Sequence, residues 1–470
     1  MRSHVYESAR DLCHEYARVD LGDKRRNARL LRILDRWQSM PAASFPKMMG
    51  SEAELEGLYR FVNSDWFSHK QLLAPHFGES GARAREGRRC LVLHDTTDVS
   101  FNREKPPEDM GYTRLNQRGF FLHASLAVEG TGPCLPLGLV AAEFLHRPKP
   151  TKKAKADSKK RAAEPDNESR RWMRGVRNAV GNIGPGVQLV HVMDREGDDY
   201  KLFDGLMKAN QDFVIRVMHN RRVADETGSK SKIFEELALK PSIATREVML
   251  GARKEAPFAK QRKIHPKRSR RTADLHISFA PLSLVRPDSA LETNAERLEV
   301  VVVHVYEPNP PAGEPAVDWK LVTTLPVTSA EEALEVVDIY RQRWVIEEFF
   351  KALKTGTQLF SRQVESVQAI QNVVALSLPV AWQLLVFRAH ARLHPDAPAD
   401  RFVSPLQLTI LRTLGRTKLP DQPSIEQVAY AIAAMAGHLK RNGPPGWQLL
   451  SDGLQQLTTM EVVWRAASEK

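Results

Sequence analysis

The chain has 470 residues, 42% of them hydrophobic, too long for one ordinary domain and enough for sizeable cores. Its 69 Lys and Arg against 57 Asp and Glu give a formal net charge of +12, which favours a polyanionic partner. Cys13, Cys90 and Cys134 lie far apart, which excludes a CxxC pair or zinc-type spacing and reads as reduced cytoplasmic thiols.

The start, Met1-Arg2-Ser3-His4, leads into charged residues without an apolar signal core. A helix opens at Leu21-Gly22-Asp23 with Asp23 as its N-cap, followed by Leu30, Leu31, Ile33 and Leu34. Taken by themselves, Arg25, Arg26 and Arg29 read as its solvated face. Another helix is predicted over Glu52–Val62. Leu91-Val92-Leu93-His94 reads as a strand ending in Asp95-Thr96-Thr97-Asp98. Residues 120–128 and 135–145, separated by Gly130-Thr131-Gly132-Pro133, read as a hairpin. Residues 147–171 are dense in Lys, Asp, Ser and Pro and read as a mobile loop. A helix at 171–179 leads to an apolar strand, 187–193, that ends at Asp194; a helix at 199–209 and a strand at 213–218 follow.

Residues 220–325 read as a β-rich insertion with strands at 246–250, 275–284, 298–306 and 320–325. Its basic run, 253–271, fits a disordered tip or a DNA-contacting arm. Helices are predicted at 331–354 and 367–391, then at 427–440 behind a capping-box-like Ser424, and from Trp447 after Gly443-Pro444-Pro445-Gly446. The run 373–387 is interrupted by Ser377, Pro379 and Gln383, so it is read as a buried core helix, too short and polar to span a bilayer. No internal repeat, phosphate-binding P-loop or dinucleotide glycine pattern is present.

In the first of those helices, Tyr340-x2-Arg343-x3-Glu347-x6-Lys354 has a spacing worth following. At about 100° per residue, all four side chains fall within an arc of roughly 60°, with Lys351 on the same side. Ile346, Phe349 and Leu353 point the opposite way, flanked by Ile339 and Phe350. A salt-bridged surface and a metal-assisted grip on nucleic-acid phosphate both fit this stripe. Asp95 and Asp194 at strand ends and Glu347 on the helix would supply oxygen ligands for hard cations, with Asp98, Asp198, Asp199 and Glu348 as rivals. By residue chemistry alone, the chain is a metal-dependent nuclease or transferase acting on nucleic acid.

The Tyr-x2-Arg-x3-Glu-x6-Lys pattern resembles the signature of the IS-four family of DDE transposases, and the likeness covers nearly the whole chain. The segment from Leu21 through Asp23-Lys24-Arg25-Arg26-Asn27-Ala28-Arg29-Leu30 is similar to the family's N-terminal DNA-binding helix, and Gly57-Leu58-Tyr59-Arg60-Phe61 to its continuation. Asp95-Thr96-Thr97, Asp194-Arg195-Glu196 and Ile346-Glu347-Glu348-Phe349 resemble the three catalytic motifs. Residues 431–440, the Gly/Pro break and Trp447 resemble the C-terminal dimerisation region.

The resemblance implies an α/β, ribonuclease-H-like catalytic core with a mixed sheet and flanking helices. It implies a helical DNA-binding domain over 1–70, the catalytic domain over 71–392 with its insertion near 220–325, and a helical dimerisation domain over 393–470. Asp95, Asp194 and Glu347 would bind two Mg²⁺ ions, replaceable by Mn²⁺. Tyr340, Arg343, Lys351 and Lys354 would hold DNA phosphates, and Arg25, Arg26 and Arg29 would recognise the transposon end. Trp319 stands where the family's insertion carries a tryptophan that stacks on a flipped base. The partners implied are double-stranded DNA, as terminal repeats and target, and a second copy of the chain, in a bacterial cytoplasm at the nucleoid and with no membrane. The reaction implied is cut-and-paste transposition: a nick, a hairpin closed by the freed 3′-OH, its opening, and joining to target DNA. A silent DNA-binding relic and a structure-specific nuclease such as a junction resolvase are the competing classes. The acidic trio argues against the first, and the basic N-terminal helix with the dimerisation region against the second.

Overall fold

The computed structural model describes residues 9–101, 107–114, 117–132, 134–149, 168–224, 230–255, 262 and 266–468. They divide into two units, Met1–Val187 with Trp344–Lys470, and Gln188–Arg343. The loop predicted over 147–171 falls largely outside the described residues, as do 256–261 and 263–265 of the tip or arm predicted over 253–271, whose flanks pair in an antiparallel bridge between Arg253 and Arg268.

The first unit opens with α1 (Cys13–Tyr16), α2 (Lys24–Ser39), α3 (Phe45–Met48), α4 (Glu52–Val62) and α5 (His69–Arg85). Asp23 caps α2 by accepting from the Arg25 amide at 2.8 Å, and Leu30, Ile33, Leu34 and Trp37 are the face it buries. An antiparallel sheet follows: β1 (Arg89–Ser100), β2 (Tyr112–Arg114), β3 (Gln117–Glu129) and β4 (Pro136–Leu145). β3 is central, with β1 on one side and β4 and β2 on the other, so β3–β4 is the expected hairpin. α6 (Arg171–Ile183) packs on β3 and β4. The N-terminal segment is tied to this body by a buried cluster. The Glu15 carboxylate bridges His76 Nδ1 at 2.6 Å and Arg83 Nη1 at 2.7 Å. Arg83 Nε donates to the Leu137 carbonyl at 2.6 Å, and the Leu139 amide donates to His76 Nε2 at 3.2 Å.

The second unit holds β5 (Gln188–Met193), α7 (Tyr200–Lys208), β6 (Asp212–Arg216), β7 (Arg222–Ala224), β8 (Lys230–Lys232), α8 (Ile233–Ala238), β9 (Ala244–Leu250), β10 (Arg271–Val285), β11 (Arg297–Tyr306), β12 (Asp318–Thr323) and α9 (Ala330–Arg341). Its sheet runs β5-β6-β12-β11-β10-β7-β8, with β9 also on β10. β5 and β6 are parallel and the other pairs antiparallel, so the sheet is mixed, as a ribonuclease-H-like fold requires.

The chain returns to the first unit through α10 (Trp344–Lys351), a π-helical turn at Ala352–Gly356, α11 (Val367–Leu393), α12 (Pro405–Leu414), α13 (Ile425–Met435) and α14 (Trp447–Ser468). The single helix predicted over 331–354 is therefore interrupted twice. The Gln342 amide is shared between the Asp338 and Ile339 carbonyls and Arg343 N bonds to Tyr340 O, so the ladder tightens and stops. The helix predicted over 427–440 ends early, because Gly437 turns left-handed (φ 92°) and His438 N bonds back to Ala433 O. α11 is long and apolar enough to cross a membrane by length and composition, a correction to the sequence reading. Yet 94% of its most apolar stretch is buried in the protein, which makes it the core helix expected. Phe387, Ile410, Leu411, Ile432, Leu450 and Leu457 join it to the last three helices in one core.

Candidate catalytic and nucleic-acid site

In the first unit, Asp95 lies inside β1, opposite Ala124, and not at the strand's end. Pairing with the long β3 carries β1 on to Ser100, which the short apolar run could not announce. Asp95 is half-buried, and its Oδ1 accepts from the Thr96 amide at 2.7 Å. α10 packs on β1 and carries Glu347, also half-buried, in its first turn. The buried side of α10 and of the π-helical turn after it is the one expected: Ile346, Phe349 and Leu353, with Phe350 beside them.

The rival acids are committed elsewhere. Lys354, on the π-helical turn, reaches Asp98 Oδ1 at 3.3 Å. Glu348 pairs with Lys351 at 2.6 Å and Arg388 at 2.8 Å. Burial would raise its pKa, but these two cations outweigh it and hold the carboxyl below its ordinary value. Lys351 therefore makes a surface ion pair with Glu348.

In the second unit, Asp194 follows β5 as expected and caps the turn Arg195–Gly197 by accepting from the Glu196 amide at 2.8 Å. Asp198 is fully buried as a side chain and binds the Met218 and His219 amides, the His219 ring and the Arg221 guanidinium. Asp199 caps α7 through the Lys201 amide at 3.0 Å. Both are structural acids.

Tyr340 departs from the predicted stripe. It is 6% exposed, because it lies on the side of α9 that packs against β6 and β12. Burial raises its phenol pKa; Arg343, which hydrogen-bonds it, and Arg216 and Asp194 are the charged groups around it. Arg216, on β6, was not singled out from the sequence; only the sheet register brings it near the phenol, since an arginine ending a short strand has no distinguishing pattern. Trp319 on β12 is half-buried and meets Tyr340 edge to face, ring centroids 5.5 Å apart. It lines a narrow groove with Val248, Leu275, Val305, Val317 and Val337, flanked by Arg246 and Arg341.

On α2 the three arginines separate. Arg25 is 94% exposed as a side chain. Arg26 donates to the Leu21 carbonyl at 3.1 Å and lies 4.5 Å over the Trp66 ring. Arg29 lies over Gly57, where a Cβ would meet its guanidinium at 1.2 Å. Arg26 and Arg29 thus also hold the N-terminal helices together.

Asp95, Asp194 and Glu347 are all carboxylates, which suits a hard divalent cation and not zinc. Within either unit, no group of three or more His, Cys, Asp or Glu stands together among the described residues. The donors fit a catalytic cation that takes one or two carboxylates and completes its shell with water and phosphate. A transposase DNA-binding family model matches residues 11–66, and a transposase DDE domain model matches residues 182–379. With a domain for holding DNA and a domain whose chemistry depends on divalent metal, this chain has the two parts of a DDE-type DNA transposase.

Proposed function

We propose that the chain is a cut-and-paste transposase of the IS-four kind, similar to the transposase of bacterial transposon five, which binds its element's ends as a dimer and cleaves them through a hairpin. The observation that supports this most is the packing of the Glu347 helix on the strand of Asp95, with Lys354 of the same segment drawn to that strand. Asp95, Asp194 and Glu347 would hold two Mg²⁺ ions, which supply charge neutralisation of the phosphate and activation of the attacking oxygen. Lys354 would exchange Asp98 for a DNA phosphate. Arg343 and the buried Tyr340 hydroxyl would fix a second backbone position. Residues 393–470 would carry dimerisation, and Val462 and Val463, 54% and 63% exposed on α14, are apolar groups such a contact would cover.

Incubating the chain with its element's own terminal repeats and Mg²⁺ tests the reading. Nicks followed by hairpin ends and joined target are expected. Ends that are hydrolysed without hairpins would leave a nuclease, and binding without cleavage a silent relic.

The DNA contacts differ in kind. Arg25→Ala is expected to weaken binding to the cognate end by about 1–3 kcal/mol and to relax specificity. Lys354→Ala should weaken cognate and random DNA alike and make the salt dependence shallower by about one unit of slope. Filter binding across a salt series separates the two, and equal losses on cognate and random DNA for Arg25→Ala would reduce α2 to general electrostatics.

Trp319 would be the stacking platform for a base flipped as the hairpin closes, worth about 1–3 kcal/mol per base. Its edge-to-face contact with Tyr340 would orient the ring. Trp319→Ala is then expected to leave nicking near normal, slow hairpin formation and spare strand transfer from precleaved ends. A parallel fall of all three steps with a lower melting temperature would make Trp319 a packing residue.

A further inference from the structure

We infer that Arg171, Thr96 and His123 form a positioning relay that sets the Asp95 carboxylate, anchored where the basic run 147–171 begins and ends. This rests on the reading of Asp95 as a metal-binding acid. A guanidinium only donates, so Thr96 Oγ1 accepts from Arg171 Nε at 3.0 Å. The hydroxyl's one proton then goes to His123 Nδ1 at 2.9 Å. This assigns the imidazole proton to Nε2, which has no partner among the described residues and faces Gly175, where a Cβ would stand 3.0 Å away. Arg171 is 8% exposed and His123 1%, so water competes little for either bond. With both its hydroxyl roles taken, Thr96 has one side-chain setting, and its own amide donates to Asp95 Oδ1 at 2.7 Å.

The other end of Arg171 explains why this arrangement is more than local packing. Its Nη1 donates to the Glu168 carbonyl at 3.2 Å, and its guanidinium lies 3.7 Å from the Glu168 carboxylate. That carboxylate also pairs with Arg147, which stacks 4.0 Å over the Phe121 ring. Phe121 is paired across the sheet with Asp98, three residues beyond Asp95 on the same strand. The two ends of the basic run are therefore clasped on neighbouring strands, Arg171 on β1 at Thr96 and Arg147 on β3 at Phe121, opposite Asp98.

The test is Mn²⁺ titration by electron paramagnetic resonance on the full chain bound to a precleaved end, with melting temperature and end affinity measured alongside. Thr96→Val and Arg171→Met are each expected to weaken Mn²⁺ binding by about 10–100-fold, the usual range for an outer partner of a metal ligand, with end affinity unchanged. Thr96→Ser and His123→Asn, which keep the hydroxyl and an acceptor at the Nδ1 position, should restore it. If Thr96→Val fails to fold, Arg171→Met decides. Wild-type Mn²⁺ affinity in Arg171→Met, with loss in Asp95→Asn, overturns the relay alone. Wild-type affinity in Asp95→Asn overturns the reading of Asp95 and the relay with it.

Discussion

Asp95→Asn, Asp194→Asn and Glu347→Gln are each expected to lower Mg²⁺-dependent end cleavage by at least about 10³-fold, about 4 kcal/mol of barrier, while end binding persists. Each substitution is nearly isosteric and removes one anionic oxygen donor. None touches α2, where the DNA-binding match lies. Mn²⁺ should replace Mg²⁺, whereas Ca²⁺, larger and looser in geometry, should support binding and little cleavage. Asp198→Asn should behave differently. Its carboxylate is fully buried against Arg221 and His219, so its loss should lower the unfolding midpoint of the second unit before it alters any metal response. Cleavage and denaturation measured on the four variants separate ligand from scaffold. Near-normal cleavage in any of the first three would remove that residue from the trio.

Glu15→Ala should carry the largest cost in stability. It would leave the Arg83 guanidinium, 0% exposed, without its counter-charge, and His76 without its Nδ1 acceptor. Breaking one side of a buried pair costs about 3–5 kcal/mol. Part of that loss should appear in function, because the cluster joins α1 to α5 and β4, and so ties the segment matched as DNA-binding to the sheet behind it. The pH dependence has a defined sign. Burial raises the Glu15 pKa, but its contacts with His76 and Arg83 outweigh this and hold it below its ordinary value. The folded carboxyl is therefore the stronger acid. Its contribution is complete above about pH 4.3, the unfolded value, and is lost as pH falls below it. Urea unfolding between pH 7 and pH 3 should show wild type converging on Glu15→Ala at the acid end. A constant gap across that range would place the stabilisation in packing alone.

Much of this molecule was legible in one dimension. The cap at Asp23, the hairpin of β3 and β4, the turn at Asp194 and the apolar face of α10 are short-range patterns, fixed by backbone capping and by the 2.0 and 3.6 periodicities. The spacing from Tyr340 to Lys354 named the candidate residues, but it could not show that the helix breaks at Gln342, because no proline or glycine marks the break. α5 was missed for the opposite reason: Pro75 lies within it, and its buried His76 and Arg83 sit at positions a pattern search expects to be apolar.

What only the tertiary structure decided is the company each side chain keeps. Asp98, Asp198 and Glu348 look the same as Asp95 in sequence, and they are set apart by cations arriving from 23 to 256 residues away, or by a near neighbour on the same helix. Tyr340 became a buried phenol beside Arg343 and Arg216, and Arg171 met Thr96 across 75 residues. Local propensity depends on neighbours along the chain and can be read from it. Pairing of charges depends on which distant segments fold against each other, and desolvation then determines which of those pairs must form.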